Sequence, residues 1–264
     1  MRIIDIHTHA FPDALAERAM RSLEEEGNTK ACLDGKVSSL IGSMDEAGIE
    51  VSVLAQIATK PSQFDPILAW SQSVASDRLF PFPSVHPDDR DAAGKVRRVA
   101  GEGFRGIKLH PYYQDFDVDD ARLWPLYKAI EDTGLLLLLH TGFDMAFERI
   151  RKADPVRVLK VLDAFPDLRL ITSHFGAWED WDEVEKHLLG KPIYTDVSYS
   201  VEFMEKRRAR ELILAHPREY VLFGTDSPWS SQRGMVDFVL SLELGGDWEQ
   251  SILSDNAARL LGIG

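Results

Sequence analysis

The chain has 264 residues, with 30 basic and 43 acidic side chains, a net charge of −13 and a pI near 5.1. That balance argues against a phosphate-backbone binder, which needs basic stripes, and the single cysteine, Cys32, excludes a scaffold stapled by intrachain disulfides. With 44% hydrophobic residues the chain can build a large core, yet its longest leucine run, residues 135–139, is far too short to cross a bilayer.

The first apolar run covers residues 2–7, RIIDIH, and continues into Thr8 and His9. Successive side chains on a strand point to opposite faces, so His7 and His9 share a face, and two imidazoles on one face begin a metal site. Residues 11–36 exceed the usual short connection and read as a helical flap over the end of this strand. A helix is predicted over 37–48, closed by Gly48, followed by a strand at 51–57, a helix at 64–77, a strand at 79–85 and a helix at 90–102. The fourth run, FRGIKLH at 104–110, puts Lys108 and His110 on one face, and that face reads as the lumen. A helix at 120–133 leads to LLLLLH at 135–140, and Asp154 before Pro155 starts a helix at 155–165. The run LRLITSH at 168–174 ends in His174, after which come a helix at 179–189, a strand at 192–198 and a helix at 202–216. The last run, YVLFGTD at 220–226, ends in Asp226 and precedes helices at 232–243 and 248–261.

Eight strand-then-helix units in a chain of this length predict one α/β domain, a (β/α)8 barrel over 1–264, with a doubly wound open sheet as the alternative. The runs are nearly continuously apolar and do not alternate, as expected for parallel strands covered on both faces. Of the eight histidines, six lie at or just past the end of a predicted strand, where even placement would put about one. Barrels of this kind carry their chemistry at those ends, so histidines from the first, fifth and sixth strands facing Asp226 make a nitrogen and oxygen ligand set suited to a divalent metal such as zinc.

With DIHTH at the start, GIKLHP at 106–111, LLLHTG at 137–142, TSHFG at 172–176, GTDSPW at 224–229 and NAARLLGI at 256–263, the sequence resembles the amidohydrolase superfamily over nearly its whole length. It looks most like the branch that also contains aminocarboxymuconate-semialdehyde and resorcylate decarboxylases. The resemblance implies that His7, His9, His140 and Asp226 hold a metal, and that His174 either ligates a second ion or polarises water and substrate. It further implies one zinc ion in preference to two, Asp226 and His174 as catalytic residues, and Lys108 and His110 as anchors for an acidic substrate. Lys108 is also a candidate to bridge two metals as a carbamate, and a lysine reaching out to solvent is the bland alternative. The implied reaction is hydrolysis of an amide, lactone or ester by activated water, with non-oxidative decarboxylation of an aromatic or unsaturated acid as the alternative. A metal-dependent deoxyribonuclease fits less well, because that branch needs a bridging glutamate on the fourth strand. A barrel with a purely structural metal fits less well too, since structural sites are closed cages, often with cysteine. Aromatic residues at 112, 113, 143, 178 and 229 are candidates for the pocket wall. The remaining expectations are a cytoplasmic location, no membrane or nucleic-acid partner, and a homodimer by analogy with relatives.

Overall fold

The computed structural model describes residues 2–200 and 203–264. Its strands are β1 Ile4–Thr8, β2 Val51–Ala55, β3 Leu79–Phe82, β4 Gly106–Leu109, β5 Leu136–Leu139, β6 Leu170–Thr172, β7 Tyr194–Asp196 and β8 Val221–Leu222. Every pairing between them is parallel, in the orders β1-β2-β3 and β4-β5-β6-β7-β8. Backbone hydrogen bonds join these two sheets at both seams. Ile6 N donates to Phe223 O at 2.9 Å and Asp226 N to His7 O at 2.8 Å, while Lys108 N donates to Pro83 O at 3.0 Å. The eight strands therefore run round in chain order, as in a (β/α)8 barrel.

The helices are α1 Asp13–Gly27, α2 Val37–Ala47, α3 Phe64–Val74, α4 Ala92–Gly101, α5 Trp124–Thr133, α6 Pro155–Ala164, α7 Trp181–His187, α8 Lys206–Ala215, α9 Gln232–Ser241, α10 Gly246–Gln250 and α11 Asn256–Leu261. They start and stop where the local chemistry directs. Asp154 accepts from Val156 N and Arg157 N at the head of α6, and Gly134, at φ +68°, closes α5. The final predicted helix is interrupted, since a π-turn at Ser251–Asp255 separates α10 from α11. The helix predicted over 202–216 begins at Lys206, and residue 202 lies outside the described residues.

The apolar runs bury both of their faces. Ile4, Ile6, Val51, Val53, Leu136, Leu138, Ile171 and Leu222 pack into the barrel interior, whereas Ile107, Leu109, Leu137 and Leu139 face the helices α4 to α6. Burying one such side chain contributes about 1.5–3 kcal/mol, so this two-sided core holds the strand ends in place. Each strand is shorter than its apolar run, and His110, His140, His174 and Asp226, just past the ladders of β4, β5, β6 and β8, line the site. Residues 13–27 of the expected flap are helical, and Phe11, Leu23, Gly27 and Thr29 border the barrel mouth.

Candidate active site

A pocket of about 110 Å³ opens at the carboxyl ends of the strands. His7, His9, Lys108, His110, His140, His174 and Asp226 all line it, so every residue singled out from the sequence as ligand, catalyst or anchor faces one cavity. The arrangement within the cavity is more particular than simple convergence.

His7, His9 and Asp226 form a tripod whose ligand atoms lie within 4.8 Å of one another. Asp226 Oδ1 is 3.4 Å from His7 Nε2 and 3.0 Å from His9 Nε2. The other nitrogen of each imidazole is committed to an oxygen. His7 Nδ1 donates to Asp196 Oδ2 at 2.9 Å, and His9 Nδ1 donates to Ala55 O at 2.9 Å. Both Nε2 atoms consequently present lone pairs to the pocket.

A second pair stands beside the tripod. His140 Nε2 donates to Phe143 O at 2.9 Å, and His174 Nδ1 faces Ser198 O and Ser198 Oγ at 3.1 and 2.9 Å. Their inner nitrogens, His140 Nδ1 and His174 Nε2, then meet lone pair to lone pair at 3.2 Å. That is about the spacing of two nitrogens bound to one tetrahedral zinc at 2.0–2.1 Å. Two neutral lone pairs at this distance repel, so the pair has to share a proton or a cation.

Four imidazoles with anchored outer nitrogens and inward lone pairs, together with one carboxylate, fit a divalent metal. Burial first, and the nearby Lys108 ammonium second, push His7 well below the usual imidazole range. Burial, reinforced by His110 and His174, does the same to His140. Neutral imidazole is the ligating form. Burial by itself would raise the Asp226 carboxyl, but His7, His9 and His174 hold it below the usual carboxylate range.

Two of these groups sit on strained backbone. His174 and Asp226 have φ of +59° and +62°. A non-glycine residue in this region costs about 1–3 kcal/mol and persists only where its surroundings enforce it. His174 stands two residues past β6 and Asp226 four past β8, and both side chains line the pocket.

Lys108 does not reach solvent. It is 1% exposed, and its Nζ donates to His7 Nε2 at 3.0 Å, the lone pair that a metal would take. Burial pushes its ammonium down to about 8 although Asp226, Asp196 and Asp144 pull the other way.

Three residues that the sequence reading passed over complete the site. Asp196, wholly buried at the end of β7, holds His7 through Oδ2 and accepts from His174 N, Ser198 N and Ser198 Oγ through Oδ1, at 3.0, 2.9 and 2.5 Å. Ser198 links it to His174. Asp144, on the loop after β5, places Oδ2 3.4 Å from His110 Nε2. A carboxylate ending an apolar run was the available signal for Asp196, whereas Asp144 lies in a loop with no periodicity to mark it. Of the expected aromatic wall, Tyr113, Trp178 and Trp229 line the pocket. Tyr112 instead ties the loop by donating to Gly142 O and Ile150 O, and Phe143 packs under the Arg149 guanidinium. His86 also stands clear of the pocket and accepts from Asp88 N in a turn.

Comparison with known proteins bears on the fold and the family. Among curated proteins none matches the chain significantly. In three dimensions it is similar to an uncharacterized TIM-barrel protein from Bordetella bronchiseptica, at 22% identity, TM-score 0.77 and 99% coverage of both chains. It is also similar to 5-carboxyvanillate decarboxylase from Sphingomonas paucimobilis, at 15% identity, TM-score 0.71 and 100% and 99% coverage. A third similar structure is 2,6-dihydroxybenzoate decarboxylase from Rhizobium, at 16% identity, TM-score 0.69 and 99% and 98% coverage. These likenesses establish the TIM-barrel fold, and none of the described helices is long and apolar enough to cross a membrane. Because the amidohydrolase family model matches residues 4–263, essentially the whole chain, the protein belongs to the amidohydrolase family, in its Amidohydro_2 branch.

Proposed function

We propose that the protein is a metal-dependent hydrolase that cleaves an amide, lactone or ester bond in a small acid. The observation that carries this reading is the tautomer pattern: four imidazoles, each anchored through one nitrogen, turn the other toward a single pocket that also holds Asp226. His7, His9 and Asp226 would hold the first divalent ion, zinc being the first choice, and the His140–His174 pair offers the adjoining position. A cation bound there supplies Lewis acidity, lowering the pKa of water from about 15.7 toward 7.

The chain's own groups do the rest. Asp226, held ionised, is placed to accept a proton from attacking water and to return it to the leaving group. His174, when the shared nitrogen pair carries a proton, donates from Nε2 to the developing oxyanion. Lys108 is the basic side chain, of the lysine and arginine kind, among the described lining residues, and it anchors the substrate's acidic group. Trp178, Trp229 and Tyr113 supply apolar walls that keep water away from the reacting bond.

Non-oxidative decarboxylation is the second reading, because the similar structures include decarboxylases of hydroxylated aromatic acids. The two part on one experiment. The metal-loaded protein is offered lactones, amides and esters of small acids alongside aromatic carboxylic acids in ¹⁸O-labelled water. Incorporation of label into a product carboxyl supports hydrolysis; carbon dioxide release without label in the remaining product replaces it with decarboxylation.

A further inference from the structure

Beyond the metal ligands, one cluster in the pocket is unused by this mechanism: His110 from the end of β4 and Asp144 from the loop after β5. Together with His140 they bring ligand atoms within 4.8 Å of one another, which raises the question of a further metal site. The ring geometry argues against one. His110 and His140 stack at 4.1 Å with 18° between their planes, so their in-plane lone pairs run side by side and do not converge. Both nitrogens of His140 are also engaged, Nε2 with Phe143 O and Nδ1 with His174.

The same geometry suits a different ligand. His110 Nε2 stands 3.4 Å from Asp144 Oδ2, and a lone pair there would face the carboxylate, so the ring proton sits on Nε2. At 3.4 Å that contact is well beyond the usual 2.9–3.0 Å of a direct N–H···O bond. Both groups are about nine-tenths buried, both line the pocket, and both are fixed from behind. Asp144 Oδ1 accepts from Ala146 N at 2.8 Å. His110 is locked by its stack on His140, and its backbone N donates to Gln114 Oε1 at 2.8 Å. An oriented donor thus stands beside an oriented acceptor, with their mutual bond poorly made.

We propose that His110 Nε2–H and Asp144 Oδ2 form a subsite for a hydroxyl group of the substrate. The hydroxyl oxygen accepts from His110, and its hydrogen is donated to Asp144. A carbonyl is disfavoured there because it meets the Asp144 carboxylate, and an ammonium is disfavoured because it meets the imidazole N–H; a hydroxyl satisfies both. Resting on the reading of this pocket as the site for a small acid, the inference narrows the substrate to an acid whose carboxylate lies toward Lys108 and whose hydroxyl lies toward Asp144.

The test is binding to the metal-loaded protein, measured by calorimetry with benzoate, the monohydroxybenzoates, the matching methoxybenzoates, phenol and anisole. At least one hydroxybenzoate should bind about tenfold more tightly than its methoxy counterpart, the expected effect of a hydrogen bond to a charged group. Asp144→Ala should bring that ratio to within about twofold, and Asp144→Asn, which keeps one acceptor oxygen, should fall between. An unchanged ratio in Asp144→Ala, or no preference for any hydroxylated probe in the native protein, overturns the subsite. If the acids bind no better than the neutral probes while phenol still beats anisole in an Asp144-dependent manner, the subsite stands and the acidic-substrate reading falls.

Discussion

Replacing Asp196 by asparagine is the sharpest perturbation of the proposed metal centre that leaves every proposed ligand in place. The wild-type carboxylate serves two sides: Oδ2 takes the proton of His7 Nδ1, and Oδ1 takes three donors, His174 N, Ser198 N and Ser198 Oγ. Asparagine has one acceptor oxygen. It will face the side with three donors, because leaving those buried and unpaired costs about 1–3 kcal/mol. Its NH₂ then faces His7 Nδ1 and can be satisfied only if that nitrogen carries the lone pair. The proton of His7 moves to Nε2, the atom proposed to ligate. Losing an orienting partner of this kind lowers metal affinity about 10- to 100-fold, or about 1.4–2.7 kcal/mol. Competition of purified wild type and Asp196→Asn against a chelator for zinc and for manganese gives the affinity, and a thermal melt of the metal-free proteins shows whether both fold. Equal affinities within about twofold, with both proteins folded, would refute the claim that Asp196 sets the His7 tautomer.

Further outcomes follow from the same structure. Lys108 is held at about 8 when folded, against 10.5 as its ordinary value, so the unfolded chain binds more protons between those limits. Stability of the metal-free protein should therefore rise as pH climbs from about 8 to 10.5, by about 3 kcal/mol, and Lys108→Met should lose that rise. Urea titrations across this range check it, and parallel profiles for the two proteins would contradict it. Gly142 has φ of +89°, and a Cβ there would lie 2.0 Å from Trp178 N, so Gly142→Ala should cost about 3 kcal/mol or more and displace the tryptophan from the pocket wall. A melting temperature within about 2 °C of wild type would count against this packing argument. Chelation should abolish turnover and lower the melting temperature by several degrees, with recovery on adding a divalent metal, because a ligand at about 1,000 times its Kd adds about 4 kcal/mol. Turnover that survives exhaustive chelation would remove metal dependence.

The barrel was legible because its strands are buried on both faces, which leaves uninterrupted runs such as residues 135–139 between helices with clear caps. The strand-end histidines were legible for the related reason that a polar residue closing an apolar run needs a purpose. Their division of labour was not. That His7, His9 and Asp226 form a tripod while His140 and His174 face each other depends on which nitrogen of each ring is anchored, and the anchors are partners such as Ala55 O, Phe143 O and Ser198, distant in sequence or ordinary in kind. His86 shows the converse. It ends a predicted strand like the others, but its ring closes a turn onto Asp88 N, a local bond that periodicity does not distinguish from a site. Lys108 was read as a lumen-facing residue from alternation alone, yet only the packing shows that its ammonium reaches the His7 lone pair.

Elemental analysis of the protein purified without added metal tests the central claim most directly. The account predicts at least about one equivalent of a divalent transition metal per chain, a second equivalent assigning an ion to the His140–His174 pair, and loss of the bound metal in a folded His9→Ala, Asp226→Ala double variant. Folded wild-type protein that neither contains nor takes up metal, or a double variant that keeps its full complement, would contradict it.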